Sequence, residues 1–382
     1  MKILYTTDLH GSDLYYNLIW KKAQLNAVDI VINGGDLLPK QGGDIFDLQP
    51  KFIRDLQNHY FPRFEKAGIH YLCFLGNDDL RIFDDMFDEV CSQFKYVHNI
   101  PQRKVEIDGL EFVGFNLVAD YPFRLKDRCR MDHKDAVFPR QFGPGLYTSV
   151  SNSKGFKTVD DGQWEDIEDW ISHAQSLPTI EDELQTLVRP KDMKKAIYII
   201  HMPPSDLGLD VCMSRDEPGG KSVLNFLERE QPLLSLHGHI HESPSMSGIW
   251  NVQVGKTWAV QPGQGGMHPV YCIIDTDDLQ GMRRIGHKSE RLHLTLDNFV
   301  NMDLKRPWTV DGKTAYYIRK SDLADSERAA FEKFLLATAR NAPMPPGETQ
   351  GNTAWWHDYQ AFARGEDPYL GIKAMGDVTD EK

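Results

Sequence analysis

The chain has 382 residues, 41% apolar and 26% charged. That is long enough to bury a core without disulfide staples and too balanced for a collagen-like, low-complexity or disordered chain. Acidic residues outnumber basic ones 56 to 43, a net charge of −13, which repels phosphate backbones at long range and excludes a general nucleic-acid coat protein. An anionic substrate stays compatible, because bound divalent cations invert the local field.

Residues 2–6 (KILYT) form an apolar run of strand length. In 13–27, Leu14, Leu18, Ile19 and Ala23 recur on a helical period, and 29–33 (DIVIN) predicts a second strand. Phe52, Leu56, Tyr60 and Phe64 step by four towards Gly68, predicting a helix face with a glycine stop, and 70–75 (HYLCFL) a third strand. This β-α-β-α-β order predicts a parallel sheet with helices on both faces. Later strands are expected at 110–115, 196–200, 233–236, 258–260 and 271–274, as a mixed or antiparallel continuation. Segment 120–162 has no clear period and reads as a long loop insertion, and 161–187 as helical, its acid-rich run 160–169 (DDGQWEDIED) being the helix start. Beyond 298 the character changes: 321–339 predicts an amphipathic helix, 343–349 (PMPPGET) a linker and 355–359 (WWHDY) an aromatic contact. The expected organisation is a main domain over 1–298, with its insertion at about 120–162, and a helical extension over 299–382, through which the chain could self-associate.

No apolar run is long enough for a membrane span, and the start MKILYTTD is too short for a signal peptide. Cys73, Cys91, Cys129, Cys212 and Cys272 are scattered and odd in number, which reads as reduced thiols. The expected location is cytoplasmic, without a membrane partner.

The chemistry lies just beyond the predicted strands. After KILYT come Asp8 and His10; after DIVIN come Gly34, Gly35 and Asp36; after HYLCFL come Gly76, Asn77, Asp78 and Asp79. His201 follows 196–200, and His237, Gly238, His239 and His241 follow 233–236. Five strands thus deliver ligand-type side chains to what reads as one edge of one sheet, the edge where open α/β sheets bind ligands. Imidazole with carboxylate, and no cysteine, suits divalent Mn, Fe, Zn, Co or Ni. D-x-H places both side chains inward from an extended segment, and H-x-H at 239–241 repeats that geometry. A carboxylate such as Asp36 has lone pairs on both oxygens to bridge two ions. Two ions about 3.5–4 Å apart can clamp a phosphoryl group and acidify a water between them. Singly, each motif has a plainer reading: Asp36 as a helix cap, Asn77 as a turn residue, His201 as a core histidine. Their joint order carries the inference.

The series D-L-H (8–10), G-G-D (34–36), G-N-D-D (76–79), H-M-P-P (201–204) and G-H-I-H (238–241) resembles the calcineurin-like metallophosphoesterase superfamily, over residues 1 to about 275. The stretch 254–263 (VGKTWAVQPG) resembles the family's strand and turn after G-H-x-H. The resemblance implies a four-layer α/β/β/α sandwich and two divalent metal ions. Asp8, His10, Asp36 and His241 would hold one; Asp36, Asn77, His201 and His239 the other, with Asp36 bridging. It implies hydrolysis of a phosphoester by in-line attack of a metal-bridging hydroxide, with Asn77 neutralising charge on the phosphoryl oxygens. Gly34, Gly35, Gly76 and Gly238 would let the backbone pass close to the ions, and His237 would support or pack.

One position departs from the family pattern. Where the family has a histidine that stabilises the phosphoryl oxygen and protonates the leaving group, this chain has Asp78. A carboxylate repels a dianionic monoester and donates a proton only when its pKa is raised. The expectation is a manganese-type phosphodiesterase rather than a phosphomonoesterase or nucleotidase, with Asn77 and Asp78 as catalytic residues. A non-catalytic scaffold on the same fold, as in the retromer subunit that resembles this superfamily, is the alternative, and the complete ligand series argues against it. An amidohydrolase would begin with H-x-H. Nucleic acid stays open as a substrate class.

Segment 121–157 carries eight basic residues against three acidic ones. Arg124, Arg128 and Arg130 are the candidate substrate contacts, since guanidinium forks suit phosphate. Phe123, Phe138, Phe142 and Tyr147 could stack on a base or anchor the loop.

Overall fold

A computed structural model describes residues 1–139, 154–159, 162–265 and 269–286, and two strands further on. Residues 1–265 and 269–285 form one compact unit. Its strands are β1 (Lys2–Thr6), β2 (Ile30–Asn33), β3 (His70–Cys73), β4 (Val97–Asn99), β5 (Lys104–Ile107), β6 (Leu110–Phe115), β7 (Val118–Ala119), β8 (Cys129–Arg130), β9 (Gly155–Val159), β10 (Gln163–Ile167), β11 (Ala196–Ile200), β12 (Leu234–Leu236), β13 (Asn251–Val254), β14 (Thr257–Val260), β15 (Tyr271–Asp275) and β16 (Asp278–Ile285). Its α-helices are α1 (Asp13–Leu25), α2 (Ile45–Asp55), α3 (Phe61–Ala67), α4 (Asp84–Ser92), α5 (Trp170–Gln175), α6 (Ile180–Thr186), α7 (Lys221–Glu230) and α8 (Ser243–Ser247).

Two six-stranded sheets, ordered β16-β15-β1-β2-β3-β4 and β13-β14-β12-β11-β6-β5, make the frame. This corrects the one continued sheet that the residue pattern suggested and agrees with the sandwich that the family resemblance implied. β1 to β4 are parallel, as are β6, β11, β12 and β14; antiparallel strands β15 and β16 extend the first sheet beyond β1, and antiparallel β13 and β5 form the two edges of the second. Strand alternation decides the layering. Leu4, Val31 and Tyr71 face a core shared with Tyr16 and Ile19 of α1 and with Phe61 and Phe64 of α3. Ile3, Tyr5, Ile30, Ile32 and Leu72 point the other way, into a buried apolar layer with Phe112, Ile197, Ile199, Leu234 and Leu236 of the second sheet. The outer face of that sheet, Val113, Ala196, Tyr198 and Ile200, packs on Trp170, Ile180, Val223 and Phe226. The result is a four-layer α/β/β/α sandwich. Each inner strand is apolar on both faces, so its sequence does not say whether a helix or a second sheet covers it.

Local chemistry sets the helices. Ser12 caps α1 by accepting from the Tyr15 N–H at 3.4 Å, and Asp44 caps α2 by accepting from Phe46 at 3.0 Å. The four-step series Phe52, Leu56, Tyr60, Phe64 is buried throughout, but through a π-helical turn at Leu56–Tyr60. Four residues overshoot a 3.6-residue α turn, and the wider π turn keeps the stripe on one face. Gly68 closes α3 at φ 68°.

The described part of the run 160–169 is not a helix start. Residues Gln163–Ile167 are β10, paired antiparallel to β9 inside the segment read as unstructured. The helix begins only after Asp169, which caps Ser172 at 3.2 Å. The expected helix 161–187 is then broken at Pro178 and restarts on a capping box between Thr179 and Asp182.

The second unit comprises 266–268 and 286–382. Within it the structure describes an antiparallel pair, β17 (Tyr316–Arg319) and β18 (Tyr369–Ile372). The expected helix 321–339, the linker 343–349 and the aromatic motif 355–359 lie outside the described residues, as do Phe142 and Tyr147.

Candidate metal centre

The register brings the motif loops together. Thr6 pairs with Asn33, and Asn33 with Cys73, so β1, β2 and β3 end flush. Beyond them the first two loops stay zipped: Asp8 N–H donates to Gly35 O at 3.0 Å, His10 N–H to Asp36 O at 3.0 Å and Gly11 N–H to Leu37 O at 2.8 Å. From the second sheet, His201 N–H donates to Phe115 O and Gly238 N–H to His201 O. Asp8, His10, Asp36 and His239 all have positive φ, 56°, 44°, 52° and 68°. Such backbone costs a non-glycine residue of order 1–3 kcal/mol, and strain of this kind gathers at functional sites. Gly35, at φ 113°, packs so closely on His201 that a Cβ would sit 2.5 Å from Nδ1.

Asp8, His10, Asp36 and His241 each offer a donor atom within 4.8 Å of the others. A second group forms around Asn77, whose Oδ1 lies 2.9 Å from His201 Nε2 and 2.7 Å from His239 Nδ1. Asp36 belongs to both groups: its Oδ2 is 3.5 Å from His201 Nε2, while Oδ1 accepts the Asp78 N–H at 2.9 Å. The seven sequence-predicted ligand residues therefore converge.

The donor set fits divalent cations. His201 Nδ1 lies 2.7 Å from Gly34 O, so that nitrogen carries a proton; with a cation bound in place of the Nε2 proton, Nε2 would be the ligand atom, facing Asn77 Oδ1, itself an acceptor. Asn77 cannot turn its amide without losing the bond from Nδ2 to Asp78 Oδ1, 3.0 Å. His10 Nε2 and His241 Nε2 face each other at 3.1 Å, and His10 Nδ1 is buried without a partner. Converging acceptors call for a cation. Burial pulls His10 and His239 down to about 4, keeping them neutral as ligand imidazoles must be. Burial alone would raise Asp8, but His241 and His201 outweigh it and bring the carboxyl to about 2. Burial likewise opposes charge on His201, yet Asp36 and Asp8 push it up to about 9. The carboxylates recruit positive charge to this spot.

Sequence reasoning missed Lys40, Gln49 and Tyr121, and named Asp79 in its motif without giving it a role. Lys40 Nζ lies 2.8 Å from Asp78 Oδ2; its one signal is its place on the loop that carries Asp36. Asp79 is buried and accepts from the backbone of Leu37, Leu38 and Gly76 at 2.9, 2.8 and 2.7 Å. Gln49 donates to Pro39 O and Asp78 O and accepts from Leu80 N–H. Tyr121 stands edge-on to His239, ring centroids 5.6 Å apart. His237 is fully buried, its Nδ1 3.0 and 2.9 Å from the carbonyls of Ile200 and Met202.

The three candidate substrate arginines are engaged within the chain. Arg128 is 4% exposed, donating to Gly76 O and paired with Asp84. Arg130 donates to Cys129 O and lies 3.8 Å from Glu183. Arg124 lies over Phe156 and 3.6 Å from Asp166.

An α/β/β/α sandwich with imidazole and carboxylate donors converging beyond its strand ends has the architecture of a metallophosphoesterase. Residues 1–243 match the family model described as calcineurin-like phosphoesterase, and the chain belongs to that family. Among solved structures it is similar to TT1561 of Thermus thermophilus, at 16% identity and TM-score 0.44, covering 74% of this chain and 97% of that one. It is also similar to an archaeal phosphodiesterase (14%, TM-score 0.33, 75% and 99% covered) and to Yfce, a phosphoesterase from E. coli (12%, TM-score 0.28, 75% and 98%). No curated protein matches the chain. Among the described residues, no helix is long and apolar enough to cross a membrane.

Proposed function

We propose that the protein is a dinuclear metal-dependent phosphodiesterase. The observation that carries this reading is the sharing of Asp36 between two donor groups, Asp8–His10–His241 on one side and Asn77–His201–His239 on the other. A divalent pair bound there would supply positive charge and an acidified water at neutral pH. The chain's own residues do the rest. Asp8 and Asp36 fix the charge of the site, and Gly34 O sets the His201 tautomer. The Asn77 amide is oriented by Asp78 and would neutralise charge on a phosphoryl oxygen bound beside the two groups. Asp78, paired with Lys40, accepts hydrogen bonds rather than donating them, so the site favours esters that need little leaving-group protonation and carry one negative charge. That supports a diester over a monoester. Manganese is the metal we would load first.

The test is hydrolysis of bis-p-nitrophenyl phosphate after chelation and Mn²⁺ re-addition, with Asp36→Asn alongside. Metal-dependent turnover lost in the variant is expected, together with a lower bound-metal stoichiometry. Normal activity of Asp36→Asn would sink the dinuclear reading.

A further inference from the structure

Asp78 leaves a chemical gap. A phosphoryl group arriving at this site meets a carboxylate where an imidazole could have donated a proton or a hydrogen bond. The structure places an ammonium beside that carboxylate. Lys40 Nζ is 2.8 Å from Asp78 Oδ2, and that same oxygen is 4.0 Å from His10 Nδ1. The lysine's charge is felt by the site itself: burial opposes it, but Asp78, Asp36 and Asp8 outweigh burial and draw the group up from the ordinary lysine range, and it opposes protonation of His10 and His241.

This is not a loose surface lysine. The segment leading to it is held on both sides. Asp79 accepts the N–H groups of Leu37 and Leu38. Gln49 ties Pro39 O to Asp78 O. The segment Leu37–Pro39 immediately before Lys40 is therefore tied to the loop that carries Asp78, while the lysine side chain keeps 37% of its surface open to solvent, enough for an incoming group to reach the ammonium.

Building on the phosphodiesterase reading, we propose that Lys40 is a substrate-contacting residue that determines specificity. Its ammonium, held at 2.8 Å from Asp78, cancels that carboxylate's repulsion and donates to a non-bridging phosphoryl oxygen. The pair is neutral as a unit. It lets a singly charged diester approach while adding no net attraction for a dianion. Loss of Lys40 exposes the carboxylate, and the harm grows with the charge of the substrate.

The experiment uses the Mn²⁺-loaded full chain as wild type, Lys40→Met, Lys40→Arg and the double variant Lys40→Met/Asp78→Asn. Substrates are bis-p-nitrophenyl phosphate and p-nitrophenyl phosphate, and inorganic phosphate binding is measured by calorimetry. Lys40→Met is expected to lower kcat/KM for the diester about 10–100-fold, to lower it further for the monoester, and to weaken phosphate binding. Lys40→Arg retains most of both. The double variant recovers part of the diester activity and of the phosphate affinity, because the unpaired carboxylate is gone. Lys40→Met that matches wild type in both readouts overturns the proposal, and so does a double variant no better than Lys40→Met. A wild type that turns over neither ester overturns the phosphodiesterase reading as well; an active wild type with unchanged Lys40→Met overturns this inference alone.

Discussion

Arg128 Nε donates to the carbonyl of Gly76 at 2.8 Å, while its two terminal nitrogens hold the Asp84 carboxylate. Through it, the segment after β7 grips the loop that carries Asn77. The neighbouring Asp127 extends the grip, accepting from Arg81 N–H at 3.0 Å and from Thr158 N–H at 2.7 Å. Arg128→Met leaves Gly76 O without its donor and Asp84 without its partner. Asp84 is part-exposed, so the expected cost is modest, about 1–3 kcal/mol. The effect on the site is expected to be larger: weaker Mn²⁺ binding and at least a tenfold fall in kcat, with Arg128→Lys recovering little because a single ammonium cannot serve both partners. Urea denaturation and a metal titration check this. A variant that loses stability but binds Mn²⁺ as tightly as wild type shows that the loop does not depend on Arg128.

Acid is expected to destabilise the chelated protein well above the carboxylate range. Burial holds His237 down to about 4, where an unfolded chain would have it near 6.5. Between those values the unfolded state takes up a proton that the folded state refuses. Stability from this group is therefore complete above about pH 6.5 and is lost at about 1.4 kcal/mol per pH unit as pH falls towards 4. His10 and His239, also near 4, act in the same direction. Unfolding free energy measured from pH 7 to 4.5 should fall steeply. His237→Asn should start lower, having lost a well-packed imidazole, yet fall less steeply. Parallel slopes would show that His237 is not one of the groups responsible.

Gly35→Ala is expected to damage the site out of proportion to its size. The residue has φ 113°, and the added methyl would meet His201 Nδ1 at 2.5 Å and Phe74 at 3.0 Å. All three are buried, so little there can give. His201 would have to swing off Gly34 O, losing the bond that sets its tautomer. The expected outcome is a destabilisation of about 2–4 kcal/mol and loss of metal-dependent turnover, measured by thermal melting with and without Mn²⁺. A melting temperature that still rises with Mn²⁺ as in wild type would show that His201 keeps its place.

Much of the fold is legible where one signal dominates. Residues 2–6, 110–115 and 196–200 read as strands from short, largely apolar runs, and the structure gives them the same bounds. The D-x-H, G-D, G-N and G-H-x-H motifs are legible because each follows such a strand. The division into two sheets is not, since Ile197 and Ile199 facing another sheet look the same in sequence as side chains facing a helix. The acid-rich β10 misleads because Gln163, Trp164, Glu165 and Asp166 are all exposed and no apolar alternation marks the strand. The arginines mislead for another reason: their partners Asp84, Asp166 and Glu183 are distant in sequence or hidden in an acidic background. Lys40 is illegible until the fold brings position 40 beside position 78.

Asp79 offers the sharpest separation of support from chemistry. Its two oxygens take three backbone N–H groups, two from the loop after β2 and one from Gly76, so one side chain aligns the segment carrying Asp36 and Lys40 with the segment carrying Asn77 and Asp78. It is fully buried. Asp79→Ala strands three N–H donors away from water, a loss of about 3–5 kcal/mol. Asp79→Asn keeps the shape but turns an amide donor towards at least one of those N–H groups, for an expected loss of about 2–3 kcal/mol. Because Asp79 directs no atom at a substrate, folded Asp79→Asn is expected to show weaker Mn²⁺ binding while its diester-to-monoester ratio stays within about twofold of wild type, unlike a Lys40 variant. Urea denaturation, metal titration and the two p-nitrophenyl substrates measured on one preparation decide it. A changed ratio in Asp79→Asn would mean that the alignment of the two loops, and not the Lys40 charge by itself, sets which ester is accepted.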